Sequence, residues 1–350
     1  MSNTMTRRAM MAAMGMGLTV SLLGTGMAMA QPADMLELTL ATADTDINPT
    51  TDSVLKLADK LGFYEKHGVR VKIVQLEGTP QAVAALNSGA VDIADISIDA
   101  AIRLRADNGL PIRGIVSGTL GAPYLIAAKA DIAKVEDLVG KTFAIADNGS
   151  LDHTYTQVVL SSMGVSADGP QYVPIGAPAA RVQALAAGKV DATTVSYGTF
   201  LPIADTPGIN ILVQPETFSE YAPGLSKFVA TLDSRIADKH EALQRFVDAL
   251  IDASRTFESD PKQWTAAMVA ARDDLSQDNI DKTADFLAGR WCVNGCLNAN
   301  ELDKTVKFIY SKPDFKDVKA IPPTDLVDQS FIDKSVATLG AFEGHELDVR

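Results

Sequence analysis

Cys292 and Cys296 are the only two thiols in the chain, separated by Val293-Asn294-Gly295. In an exported chain that spacing suits a disulfide, with Asn294-Gly295 as the tight turn that lets the sulfurs meet. The alternative is a pair of reduced, buried thiols. Zinc would need further ligands, and none of His67, His153, His240 or His345 adjoins another in sequence, so no metal is assigned. The chain holds no nucleophile elbow, no Walker loop, no HExxH and no GxGxxG after a strand. No catalytic residue and no cofactor are therefore assigned, and the reading is not an enzyme. What remains is a recurring cluster of small polar residues directly after apolar runs: Asp46 and Asn48, Gly78 and Thr79, Ser97 and Asp99, then Asn148, Gly149 and Ser150, then Gly176, Ser196 and Tyr197. Such donors and acceptors suit noncovalent binding. Tyr124 and His153 add flat or hydrogen-bonding faces nearby. Thr79, Ser97 or Asp99, and Ser150 or Asp152 are also good helix N-caps, whether or not a ligand exists. No Lys or Arg falls in these loops, whereas Asp46, Glu77, Asp99 and Asp152 do. An anion bound there would rest on backbone N–H groups, with Arg103 and Arg181 able to reach inward from their helices.

The surrounding pattern says how such loops are positioned. Leu36–Thr42 alternates as a strand; Leu55–Lys66 has helical spacing and stops at Gly68; Val69–Leu76 is a strand; Gln81–Asn87 is a helix closed by Gly89; Val91–Ile96 is the next strand. Alternation of this kind predicts a mostly parallel sheet with helices on its faces. Residues 85–97 (ALNSGAVDIADIS) then recur as residues 184–196 (ALAAGKVDATTVS), with six identical positions at an offset of 99. A Gly/Pro turn precedes each copy, Gly78-Thr79-Pro80 and Gly176-Ala177-Pro178. The repeat predicts two related α/β lobes. Chain crossings are expected near Val116–Pro123 and Ile211–Tyr221. The helical segments Ser234–Glu258, Pro261–Arg272, Ser276–Ala288 and Ala299–Tyr310 have no strand partners and are expected against the first lobe. Lobe one is then residues 31–118 with 216–350, and lobe two is residues 119–215.

The first thirty residues differ in composition from the rest. They hold eight of the eleven methionines, Arg7 and Arg8, a glycine-broken apolar run, and Ala28-Met29-Ala30. This is a cleavable signal peptide pattern, removed before Gln31. Thr6-Arg7-Arg8 resembles a twin-arginine export signal. Residues 1–30 contain no acid, so losing Arg7 and Arg8 takes the net charge from −13 to −15. So acidic a chain repels phosphate backbones, which argues against nucleic-acid binding. Hydrophobic residues at 47% with 21% charged exclude a disordered or fibrous chain and leave one large domain or two ordinary ones.

Four stretches together are familiar: Leu61-Gly62-Phe63-Tyr64-Glu65-Lys66-His67-Gly68-Val69, Gly89-Ala90-Val91-Asp92-Ile93-Ala94, Leu138-Val139-Gly140-Lys141-Thr142-Phe143-Ala144 and Gly188-Lys189-Val190-Asp191-Ala192. They resemble the solute-binding proteins of ABC importers, in the nitrate, sulfonate, taurine and thiamine-precursor branch, from about Leu36 to Leu212. The resemblance implies an α/β, two-lobed periplasmic binding protein of type II, with a hinge and a cleft between lobes. It further implies a monomer in the periplasm that captures a small-molecule solute and delivers it to an ABC permease in the inner membrane. The pyrimidine-synthesising enzymes of thiamine biosynthesis share this fold but carry a cysteine-rich motif that Cys292 and Cys296 do not supply. A solute sensor is the other alternative.

Overall fold

The computed structural model describes residues 35–42, 46–76 and 78–349. The segment read as a signal peptide lies outside them, as do Thr45 and Glu77 of the candidate loops. Ten strands run in chain order: β1 Leu36–Thr42, β2 Val69–Gln75, β3 Ile93–Ser97, β4 Ile112–Val116, β5 Tyr124–Lys129, β6 Thr142–Ile145, β7 Gln171–Pro174, β8 Ala192–Ser196, β9 Ile209–Val213 and β10 Lys227–Leu232. They form two five-stranded sheets, ordered β2-β1-β3-β10-β4 and β7-β6-β8-β5-β9. β1 pairs in parallel with β2 and β3, as β6 does with β7 and β8. In each sheet the fourth strand is antiparallel to both neighbours: β10 in the first, β5 in the second. The fourth strand is thus the one the chain adds on first arriving from the other sheet. β3 and β8 are buried at all five positions, as central strands covered on both faces require, whereas edge strand β2 alternates.

The repeat has a local cause. Gly89 and Gly188 both end a helix at positive φ, 77° and 68°, where any side chain would be strained. Asp92 then accepts a hydrogen bond at 2.9 Å from the backbone N–H of Thr39 on β1, and Asp191 does the same at 2.9 Å from Thr142 on β6. Each aspartate ties the entry of the central strand to its neighbour. Lys129 also hydrogen-bonds Asp191 at 2.7 Å, and chiefly this contact holds the carboxyl down to about 2.

The predicted helix over 55–66 is two, Ser53–Lys60 and Phe63–Lys66, because Gly62 takes φ 76° between them. β10 is absent from the sequence reading: it is six residues long and stands directly before a 27-residue helix. That helix, Asp233–Ser259, buries Leu243, Phe246, Val247, Leu250, Ser254 and Phe257 at three- and four-residue spacing. Phe246 stacks on Tyr64 at 5.4 Å between ring centroids. The C-terminal helices pack chiefly on the first sheet, yet Phe308 also meets Tyr155 of the second-sheet helix Leu151–Ser162 at 5.9 Å. The helix Pro215–Tyr221 turns Phe218 into the second-sheet core, so the chain returns to the first sheet after that helix.

Cys292 and Cys296 are disulfide-bonded. Gly295, at φ 88°, makes the turn between them. Asp348, fully buried, accepts hydrogen bonds from the N–H groups of Asn294 at 2.6 Å and Cys296 at 3.0 Å. Ser117, at the first crossing, donates its N–H to Gly295 O at 3.1 Å. The cystine loop thereby fastens the C-terminal residues beneath the first crossing.

Candidate functional site

Between the two sheets lies a cleft of about 590 Å³, within the size range of small-molecule sites. The helices starting at Thr79, Ile98, Leu151 and Pro178 all present their first turns to it. These turns follow the carboxyl ends of β2, β3, β6 and β7, where α/β sheets gather unsatisfied N–H groups. Of the candidate residues, Gly78, Thr79, Ser97, Asp99, Tyr124, Gly149, Ser150 and Gly176 line this cleft. A larger groove of about 820 Å³ lies between Arg113, Asp233 and the segment around Pro322–Gln329, lined, among the described residues, from the first sheet and the C-terminal helices with no residue of the second sheet.

The polar groups of the cleft are held from behind. Thr79 Oγ1 accepts the N–H of Ser97 at 3.2 Å, and Ser97 caps no helix N–H with its side chain. Asp99 takes the N–H of Ala100 on Oδ1 at 2.9 Å and Lys312 Nζ on Oδ2 at 3.0 Å. Ser150 does not cap its helix either: its hydroxyl sits 2.7 Å from both Asp147 O and Asp152 Oδ1. Asp152 Oδ2 accepts the N–H of Ala146 at 2.9 Å and lies 3.6 Å from the Arg181 guanidinium. Arg181 is 2% exposed and donates to the carbonyls of Gly176 at 2.8 Å and Thr194 at 3.3 Å. Its Nε has no hydrogen-bond partner among the described residues. Lys227, paired with Asp95 at 3.2 Å, and Arg103, paired with Asp314, complete the cations of the lining. Tyr124 meets Tyr155 edge to face at 6.0 Å. Burial, with Asp99 and Tyr124 nearby, pushes the Tyr155 phenol well above its ordinary value.

The other candidates lie outside this lining. Asn48 is 4% exposed and bridges the sheets: its Nδ2 donates to Ser196 Oγ at 3.0 Å and Thr199 Oγ1 at 2.8 Å. Gly198 donates its N–H to Thr50 Oγ1 at 3.1 Å, and Tyr197 packs on Phe286 at 5.6 Å. This is a clasp of direct contacts at one end of the cleft. Asp46 holds Lys56 through its backbone carbonyl at 2.6 Å. Asn148 forms the exposed loop tip, donating its N–H to Asp147 Oδ1. His153 turns away: Nδ1 accepts the N–H of Gly149 at 3.0 Å, its ring meets Tyr172 at 4.5 Å, and burial lowers its pKa. Sequence reasoning missed Lys227 and Lys312. Lys227 had a signal only in the strand it begins; Lys312, from a segment 213 residues beyond Asp99, had none.

Two α/β sheets joined by two crossings around a cleft are the two-lobed fold of periplasmic binding proteins. That fold is shared with a solved protein of Bordetella bronchiseptica RB50, at TM-score 0.73 and 16% identity over 88% of this chain and 99% of that one. It is also shared with the periplasmic aliphatic sulphonate binding protein SsuA of Escherichia coli, at TM-score 0.62 and 18% identity over 91% and 96%. The desulfurization enzyme DSZB has it too, at TM-score 0.61 and 16% identity over 87% and 99%. The NMT1/THI5 like family model matches residues 53–264, more than half of the chain, and the protein belongs to that family. By sequence it is similar to the taurine-binding periplasmic protein of Escherichia coli K12, 26% identical over 58% of this chain and 62% of that one. The chain spans 65% of the length of binding proteins of Brucella abortus that it matches, also at 26% identity. Among the described residues no group of three or more His, Cys, Asp or Glu side chains is placed to hold a metal, and no helix is long and apolar enough to cross a membrane.

Proposed function

We propose that the protein is the extracytoplasmic solute-binding component of an ABC importer. It captures a small organic solute, a sulfonate, carboxylate or pyrimidine-like compound, by closing two lobes on the cleft, and delivers it to a membrane permease. The observation that carries this reading is the convergence of four helix first turns, from both sheets, on one cleft whose cations Arg103, Arg181 and Lys227 each sit beside a carboxylate. On this reading the chain acts as a periplasmic monomer after loss of residues 1–30. With Phe218 and Ala222 in the second-sheet core, the return crossing of this reading lies beyond the residue 215 expected from the sequence: residues 31–118 with 223–350 form one lobe and residues 119–222 the other, moving about Ser117–Pro123 and Pro223–Ser226. Gly78, Thr79, Ser97, Asp99, Tyr124, Gly149, Ser150 and Gly176 are its solute contacts.

Thermal-shift screening across sulfonates, aromatic carboxylates and pyrimidines tests it. A solute at a hundred times its dissociation constant adds about 2.7 kcal/mol of stability. Small-angle scattering with that solute at saturation should then show compaction. Unchanged dimensions with confirmed, saturating solute would count against lobe closure. The fold also carries an enzyme, DSZB, so a turnover assay on the same solutes separates the two readings. Recovery of every solute unaltered supports a binder.

A further inference from the structure

Both chain crossings between the sheets rest on one C-terminal segment, beyond the family match that ends at residue 264. Ser117 donates its N–H to Gly295 O at 3.1 Å and Leu120 to Arg290 O at 3.3 Å, so the first crossing lies along the cystine loop. Leu225, in the return crossing, donates its N–H at 2.8 Å to Thr305 Oγ1 of the helix Ala299–Ser311. Leu225 and Thr305 are both fully buried. The Thr305 hydroxyl gives its own proton to Glu301 O at 2.5 Å, which leaves its lone pairs for Leu225. The crossings are also tied to each other: Ser226 Oγ donates to Gly121 O at 3.2 Å, and Ser117 Oγ to Lys227 O at 3.0 Å.

Packing leaves little of either crossing free to bend. In the first, Leu120 belongs to the first-sheet core and Ala122 to the second-sheet core, where Ser219 Oγ also holds Ala122 O at 3.1 Å. Gly121 stands between them at φ 80°. In the return, Ala222 belongs to the second-sheet core and Leu225 to the first, which leaves Pro223 and Gly224 between. Proline fixes its own φ, so the softest torsions there are those of Gly224, at φ 91°. Gly224 also lies against the pinning residue: a Cβ on it would fall 2.8 Å from Thr305 Cα, a backbone atom that would have to shift. Each crossing thus narrows to one left-handed glycine with a packed core on either side.

We propose that the lobes turn about Gly121 and Gly224, and that Thr305 is the positioning residue of this pivot: by holding Leu225 it ends the flexible stretch of the return crossing at Gly224. This rests on the reading that the lobes close on a solute, and adds that a residue outside both the cleft and the family match sets their path. A pivot of two short points confines the lobes to few relative orientations. Loosening it dilutes the closed geometry and lowers affinity by the fraction of closed form lost, whichever solute is bound.

Pulsed dipolar EPR on the mature chain without solute tests it, with nitroxides on Asn87→Cys and Ser161→Cys, exposed positions near helix ends of the two lobes. Cys292 and Cys296 are buried and bonded, so the labels go to the new thiols. Thr305→Val keeps the side-chain shape but takes the acceptor from Leu225. It should widen the spread of separations by roughly 40%, as when a free stretch grows from two residues to four. Thr305→Ser retains the hydroxyl and should keep the original spread. Gly224→Ala, displaced from Thr305, should move the mean separation, and it carries the test if Thr305→Val fails to fold. A spread unchanged in Thr305→Val, even with a lower melting temperature, would overturn the inference, since a merely structural role destabilises without loosening the pivot. So would equal widening in Thr305→Ser, or an unmoved mean in Gly224→Ala. Because no solute is present, these outcomes judge the pivot alone; failure of every solute to bind in the thermal-shift screen would overturn the binding reading instead.

Discussion

Replacing Asn48 with alanine removes its two bonds in the clasp between the sheets and leaves the Gly198 N–H on Thr50 Oγ1. Nδ2 gives hydrogen bonds to Ser196 Oγ and Thr199 Oγ1, while Oδ1 accepts the N–H groups of Thr50 at 3.0 Å and Thr51 at 3.3 Å. The two bonds between sheets contribute about 0.5–1.5 kcal/mol each, and a buried N–H left at Thr50 costs about 1–3 kcal/mol more. These effects overlap, because the loop relaxes, so the expected loss is about 2–4 kcal/mol. At about 1.5 °C per kcal/mol for a chain of this size, the melting temperature should fall by roughly 3–6 °C. The assay is calorimetric melting with small-angle scattering on the same samples. Loss of these two bonds should also increase the radius of gyration of the unliganded protein, although Asn48 does not line the cleft. A melting temperature and radius equal to wild type would refute the claim that these bonds hold the sheets together.

Three further outcomes are expected. Phe246→Ala, in the long helix against Tyr64, should cost about 3–5 kcal/mol in urea unfolding, as loss of a fully buried aromatic ring does. Asp191 is held down to about 2 from an ordinary 3.8, so its contribution is complete above about pH 4 and is lost as pH falls toward 2. Lys129→Gln should therefore lessen stability at neutral pH and flatten its decline in acid unfolding curves; curves parallel to wild type would contradict this. Alkylation of the exported protein without prior reduction should label neither Cys292 nor Cys296 in mass spectrometry, and reduction should lower stability toward the small end of the usual 2–4 kcal/mol range, because the closed loop is short.

What the sequence disclosed was what neighbouring residues decide. Gly89 with Asp92, and Gly188 with Asp191, are local devices for ending a helix and pinning a strand, and a repeat of both was enough to foresee two related sheets. The loops that supply the cleft were legible for the same reason, since each directly follows a strand. Which of those loops meet each other was not. Asn48 and Ser196 have the residue types of solute contacts, but they bond one another across 148 positions, a pairing set by how the sheets close together. Lys312 reads as an ordinary lysine at the end of a helix, because its partner Asp99 is brought to it only by the packing of the C-terminal helices. The short strand β10 was overshadowed by the helical periodicity that follows it.

The central claim is that a small solute occupies the cleft between the sheets. Isothermal titration calorimetry of the wild type beside Ala100→Trp addresses it most directly, because Ala100 lines the cleft and an indole there would fill part of its volume. The account predicts saturable one-to-one binding of a sulfonate, carboxylate or pyrimidine-like solute by the wild type, and none by a variant that melts within a few degrees of it. Equal binding by both proteins, or conversion of the solute to product during the titration, would contradict it.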